Sequence, residues 1–294
     1  MKLGTEPLRT PPTTTATADH VRPVGMSPAV RRLSVAVAVT AMVAAGLGLA
    51  FGGLYGDDEA AVQMLRGFDA VTLVVAGPAL LLAIRSDQHG APLGRLMVAS
   101  WLAYLGYTFA YHLLGAGMTD LLLLHAVLVT TTLVALGFTL SGVVADPLAD
   151  RVGHVAVRLP GVVLGLLSVA LGAMWAYGCI AYAVDGTVPA GSSLVESDAI
   201  VHLGIVLDLT ILVPLYATAA VLLWRRLPWG FVLAALALVP GTLHQVSYVV
   251  SLLFQSAADV PGAVWMDPFE PVILLLYLVA TAALLRRPAA RRPG

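Results

Sequence analysis

Two carboxylates and three imidazoles interrupt long apolar runs: Asp69, His112, His125, Asp208 and His244. Carboxylate and imidazole side chains at such positions bind cations, carry protons, or ligate a metal. Asp208 is the most isolated, with Ile205, Val206 and Leu207 before it and Leu209 after it. A charge there needs a hydrogen-bonding partner or it keeps its proton. His244 and Tyr248 are four apart, hence on one helix face, and are the first candidates for that partner. Thr72, Tyr104, Tyr107, Thr108, Tyr111, Gln245, Ser247 and Tyr248 stand near the same level. The ligand- or proton-binding set read from the sequence is Asp69, Thr72, Tyr111, His112, His125, Asp208, His244 and Tyr248. The face formed by Trp101, Tyr104, Thr108, Tyr111 and His112 reads as helix packing with satisfied polar tips rather than as an aromatic cage.

These residues need a scaffold, and composition says which. The chain has 294 residues, 59% apolar and only 11% charged, with a mean hydropathy of +0.89. Soluble chains carry about 25% charged residues, so this chain cannot cover a water-exposed surface, and a soluble globular enzyme is excluded. The single Cys excludes a disulfide scaffold. An all-α, polytopic membrane bundle remains.

A spanning helix takes about 20 apolar residues. Eight segments qualify: 33–54, 68–84, 95–115, 120–142, 160–183, 200–224, 229–254 and 270–285, of which 68–84 and 270–285 are short. Residues 1–32, rich in Thr, Pro and Ala, read as a disordered cytoplasmic tail. Residues 286–294 read as a basic cytoplasmic tail. Lys and Arg divide fifteen to one between the two sides of such a topology, with Arg66 alone on the minority side. That division places both termini in the cytoplasm, with the chain in a plasma membrane. The opposite side is acidic (Asp57, Asp58, Glu59, Asp120, Asp185, Glu196, Asp198, Asp259, Asp267, Glu270), which keeps outer loops hydrated or forms a vestibule for cations.

Depth follows from the helical rise. Asp69 lies ~24 Å above Arg85, Asp208 ~25 Å above Arg225, His112 ~25 Å above Arg95 and His244 ~22 Å above Trp229. His125 lies five residues inside its span. Five titratable groups from five helices thus share one layer in the outer half, above an inner half that is mostly Leu, Val, Ala and Gly. The asymmetry predicts a pocket open to the outside and closed by apolar packing below. Asp69 and Asp208 are followed by similar apolar runs to Arg85 and Arg225, each containing a proline (Pro78, Pro214). This suggests two four-helix halves, spans 1–4 matching 5–8, related as parallel repeats. Gly48-Leu-Ala-Phe-Gly52 and Gly161-Val-Val-Leu-Gly165 are spacings that let helices approach closely.

No cofactor is expected. Imidazoles at one depth raise a haem or metal reading, but no HxxxH, HExxH or CxxCH pattern is present. No P-loop, nucleophile turn or basic surface beyond the topology charges supports ATP-driven transport, serine hydrolysis or nucleic-acid binding. The expected partners are the lipid bilayer and a small-molecule or ion ligand, with no nucleic acid. Transport or proton binding is the leading reading. A membrane redox or metal protein and a non-catalytic scaffold or partner subunit are the alternatives.

Arg66-Gly-Phe-Asp69-Ala-Val-Thr72-Leu, Ala103-Tyr-Leu-Gly-Tyr107 with Leu114-Gly-Ala116, and Asp208…Val213-Pro214 with Arg225-Arg-Leu-Pro-Trp-Gly230 resemble a broad group of uncharacterised bacterial, actinobacterial-type multi-pass membrane proteins with no established activity. By that resemblance Asp69, Thr72, Asp208 and Pro214 fit the group's pattern. His112 and His125 stand where it would carry Tyr or Phe, a departure that weakens a metal site built on them.

Overall fold

Helices occupy all eight of the expected segments. The computed structural model describes residues 25–149, 157–189 and 192–286, and no strand occurs among them. The long helices are α1 (Pro28–Ala50), α2 (Glu59–Gln88), α3 (Gly94–Leu114), α4 (Leu122–Ser141), α5 (Arg158–Asp185), α6 (Asp198–Trp224), α7 (Pro228–Ala257) and α8 (Glu270–Leu285). Six of these described helices are long and apolar enough to cross a membrane. The other two are α3, whose 21 residues include five aromatic residues and His112, and α8, which has 16. Most of the expected tail lies outside the described residues, but α1 already begins at Pro28, with Ser27 as its N-cap and proline at a position needing no amide donor.

The short segment expected at 68–84 is the middle of a 30-residue helix. It reaches outward to Glu59 because Asp58 caps it, accepting from the amides of Ala60 and Ala61 at 3.1 and 3.3 Å. The first helix lies four to five residues earlier in the chain than expected, beginning at Pro28. It stops at Ala50 and passes into a single tight turn, Gly52–Tyr55.

Both α2 and α6 carry one π-helical turn, Thr72–Ala76 and Asp208–Leu212. Each turn is followed by a residue and then a proline, Gly77-Pro78 and Val213-Pro214, and by a twelve-residue α-helical stretch. Proline has no amide hydrogen to close the regular ladder, so the preceding turn widens.

Packing forms two four-helix groups. α1 lies against α2 and α4, and α3 against the same two. In the second group α5 lies against α6 and α8, and α7 against the same two. The groups meet where α7 lies on α2 and α3. The approach is close because Gly67 faces the Ser251 backbone, where a Cβ would stand 2.5 Å from the Ser251 Cα, and the Ser251 hydroxyl donates to the Met64 carbonyl at 2.8 Å. At the arginine-rich end, Asp87 pairs with Arg95 at 3.5 Å and accepts the Met26 amide, while Arg95 reaches the Gly142 carbonyl. Large apolar side chains such as Val74, Leu82, Leu123, Leu166 and Val169 remain exposed around the perimeter. That is the distribution a hydrocarbon solvent allows.

Candidate functional site

Asp69 lies one residue-triplet outside the π turn of α2 and has no solvent exposure. The Tyr55 hydroxyl, from the tight turn after α1, donates to Asp69 Oδ2 at 2.6 Å. His112 of α3 places Nε2 3.2 Å from Oδ1 and Nδ1 3.0 Å from the Thr108 carbonyl oxygen. A carbonyl only accepts, so Nδ1 carries a hydrogen. The Nε2–Oδ1 contact then requires one proton between acid and base, whichever of the two owns it. His125 of α4 lies edge-on to His112 with ring centres 5.1 Å apart, and stacks on Tyr55 at 6.0 Å. His112, His125 and Thr72 have no solvent exposure either, and both His125 nitrogens lack a hydrogen-bond partner. Beneath them Tyr104 bonds Ser247 of α7 at 2.7 Å, with the Thr72 and Thr108 hydroxyls adjoining.

Asp208 forms a second, separate site. The Trp175 indole N–H of α5 donates to Oδ2 at 2.8 Å, and the Tyr107 hydroxyl of α3 donates to Oδ1 at 2.8 Å. Tyr107 continues to the Tyr111 hydroxyl at 3.4 Å. The partners expected for Asp208, His244 and Tyr248, are therefore not the ones it has. Tyr248 turns outward, its hydroxyl accepting the Ser193 amide at 2.7 Å. His244 lies among Tyr107, Phe68 and Tyr111 at ring distances of 5.1, 5.7 and 6.3 Å, and its Nδ1 has no partner.

Phe68 separates the two sites. Its ring centre is 6.4 Å from His112 on one side and 5.7 Å from His244 on the other. The five groups expected in one layer thus fall into Asp69, His112 and His125 on one side and Asp208 with His244 on the other.

The outer end is covered by the segment before α6. Gln255 of α7 donates to the Ala60 and Val195 carbonyls, both at 2.8 Å, and accepts the Val195 amide at 3.0 Å. Ser193 donates to Asp267 at 2.6 Å. Burial pushes the Glu196 carboxyl up to about 7, opposed by a hydrogen bond from Ser192 and reinforced by the charge at Asp208. Arg66 caps α1 by donating to the Leu49 carbonyl at 3.2 Å and lies over the Phe254 ring.

The chain matches no family model, no curated protein and no solved structure. What the arrangement can do rests on its own geometry. Among the described residues no three His, Cys, Asp or Glu side chains converge as a metal-ligand set, and both His112 nitrogens already face oxygens. Sequence reasoning missed Tyr55, Trp175, Phe68 and Gly48. Tyr55 stands near the end of the first apolar segment and Trp175 inside an apolar run, so neither carries a usable signal. Gly48 did carry one, but it was read as a helix-approach residue rather than as space for the Asp69–Tyr55 pair.

Proposed function

We propose that this is an integral plasma-membrane protein with eight spanning helices and both termini cytoplasmic, which takes up protons in its outer half and moves them across the membrane. The observation that carries this reading is His112 facing oxygens with both ring nitrogens, so that the Asp69–His112 pair stores one proton. Loaded, the pair is neutral overall in either arrangement, which suits a site in a low-dielectric layer. Asp208 is held differently, by two fixed donors that stabilise its carboxylate form. Two acids with different partners, separated by aromatic rings and by His244, whose Nδ1 has no partner, form the stations of the proposed proton movement.

The test is proton flux in liposomes carrying an interior pH dye, driven by a potassium diffusion potential. The wild-type chain should acidify the lumen faster than empty vesicles, and Asp69→Asn and Asp208→Asn should each abolish the difference at equal reconstituted protein. Wild-type vesicles no faster than empty ones, or variants as fast as wild type, would refute the proposal.

We further infer that the halves α1–α4 and α5–α8 arose by duplication. The π turns begin at Thr72 and Asp208, 136 residues apart. Pro78 and Pro214 keep that interval. So do Gly94 and Gly230, each pressed on the end of the preceding helix, at Asp87 and at Leu223. This register sets Thr72 opposite Asp208 and Asp69 opposite Ile205. It replaces the Asp69–Asp208 correspondence suggested by the runs to Arg85 and Arg225, and it accounts for the different surroundings of the two acids.

A further inference from the structure

At the arginine-rich end, a cavity of about 350 Å³ opens between the start of α5 and the end of α6, lined by Val157, Arg158, Val162, Leu223, Trp224 and Arg226. This lies near the lower limit for small-molecule sites, about 300–1,000 Å³. Its lining combines two arginines and a tryptophan with three aliphatic residues.

Three features show how the cavity is built. Trp224 lies along α5, because a Cβ at Gly161 would stand 2.8 Å from the indole nitrogen and one at Gly165 3.7 Å from the ring. The small-residue pair therefore receives this ring, and the indole becomes the wall of the cavity. Arg226 has φ of 56°. It occupies the left-handed position of a helix-ending motif in which the Arg226 amide bonds the Leu223 carbonyl and the Leu227 amide bonds the Leu222 carbonyl. Glycine is the residue that position favours. An arginine there bears backbone strain and brings a cation to the cavity mouth. Neither Arg158 nor Arg226 has a carboxylate within ion-pair distance among the described residues, where the pairs are Asp87–Arg95 and Asp69–His112.

We propose that this cavity binds the anionic headgroup of a membrane phospholipid, with Arg158 and Arg226 on the phosphate and Trp224 at the glycerol level. Guanidinium forks match phosphate oxygens, and Trp settles at the headgroup boundary. A lipid is favoured over free phosphate by what adjoins the cavity. Val162, Leu166 and Val169 form an exposed stripe up α5, at spacings of four and three residues, along which an acyl chain can lie. The Lys and Arg distribution puts this end at the inner leaflet, where anionic lipid meets basic pockets between helices.

The experiment uses the full chain in phosphatidylcholine nanodiscs containing brominated phosphatidylglycerol or, separately, brominated phosphatidylcholine. The readout is the tryptophan emission lost in Trp224→Phe. Brominated phosphatidylglycerol should quench it several-fold more strongly than brominated phosphatidylcholine. Arg226→Gly should erase that preference while leaving the unfolding temperature unchanged or raised, since glycine suits the left-handed backbone. Arg158→Gln should erase it as well, and Arg225→Gln should retain it. Equal quenching by the two lipids, or equal loss in Arg225→Gln, would overturn the proposal. So would abolition of the preference by inorganic phosphate at an ionic strength where chloride has no effect, because that would mark a free-anion site.

Discussion

Gly48 of α1 faces the Asp69 carboxylate of α2 so closely that any Cβ at position 48 would overlap Asp69 Oδ2 and the Tyr55 hydroxyl. The site is thus shaped by a missing side chain as much as by those present. Gly48→Ala is expected to destabilise the protein by about 1–3 kcal/mol, the range for overpacking a filled interior. Thermal unfolding in detergent measures it. The penalty should shrink on a Tyr55→Phe background, where one of the overlapped atoms is gone, and purely additive effects would show that position 48 does not press on this pair.

Trp175 and Tyr107 should be coupled to Asp208 and to little else. Removing either donor, in Trp175→Phe or Tyr107→Phe, is expected to cost about 1–3 kcal/mol. Most of that loss should vanish on an Asp208→Leu background, where no carboxylate needs donors. A double-mutant cycle reads the coupling directly.

His125 sets stability against function. Its two nitrogens are buried and unpartnered, and leaving such groups unsatisfied is expensive. His125→Phe should therefore unfold no earlier than wild type. If His125 takes part in proton exchange beside His112, the same variant should slow flux in the liposome assay. Earlier unfolding would mean that the imidazole makes a stabilising bond.

Glu196 supplies a pH dependence. Its pKa is raised from 4.5 to about 7 by burial within the segment before α6. The folded protein then holds this proton more tightly than the unfolded chain, so stability is undiminished below about 4.5 and declines as pH rises through 7. Glu196→Gln is expected to flatten that decline, seen as a smaller drop in unfolding temperature between pH 5 and pH 7.5.

Much of the architecture is visible without coordinates, and particular residues show where the visibility ends. Eight apolar helices, their order, and the concentration of arginines at one end follow from composition and segment length, because hydrocarbon imposes a minimum span. That Asp69, His112, Asp208 and His244 stand at similar distances along their helices from the arginine-rich end follows from a constant rise per residue. Partner identity does not follow. Asp208 was matched to His244 and Tyr248 on level and helix face, yet Tyr107 and Trp175 hold it. Their contacts depend on which helices adjoin and how each is rotated. Counting along a regular helix also loses phase at each π turn, where one extra residue rotates everything beyond it by about 100°. Tyr55 and Gly48 complete the Asp69 site from a turn and a gap, features with no periodicity to read. Sequence by itself determined the order of the long apolar helices. Tertiary packing alone decided which buried acid meets which base, because the rotation of one helix against another is set by side-chain fit across the whole interface.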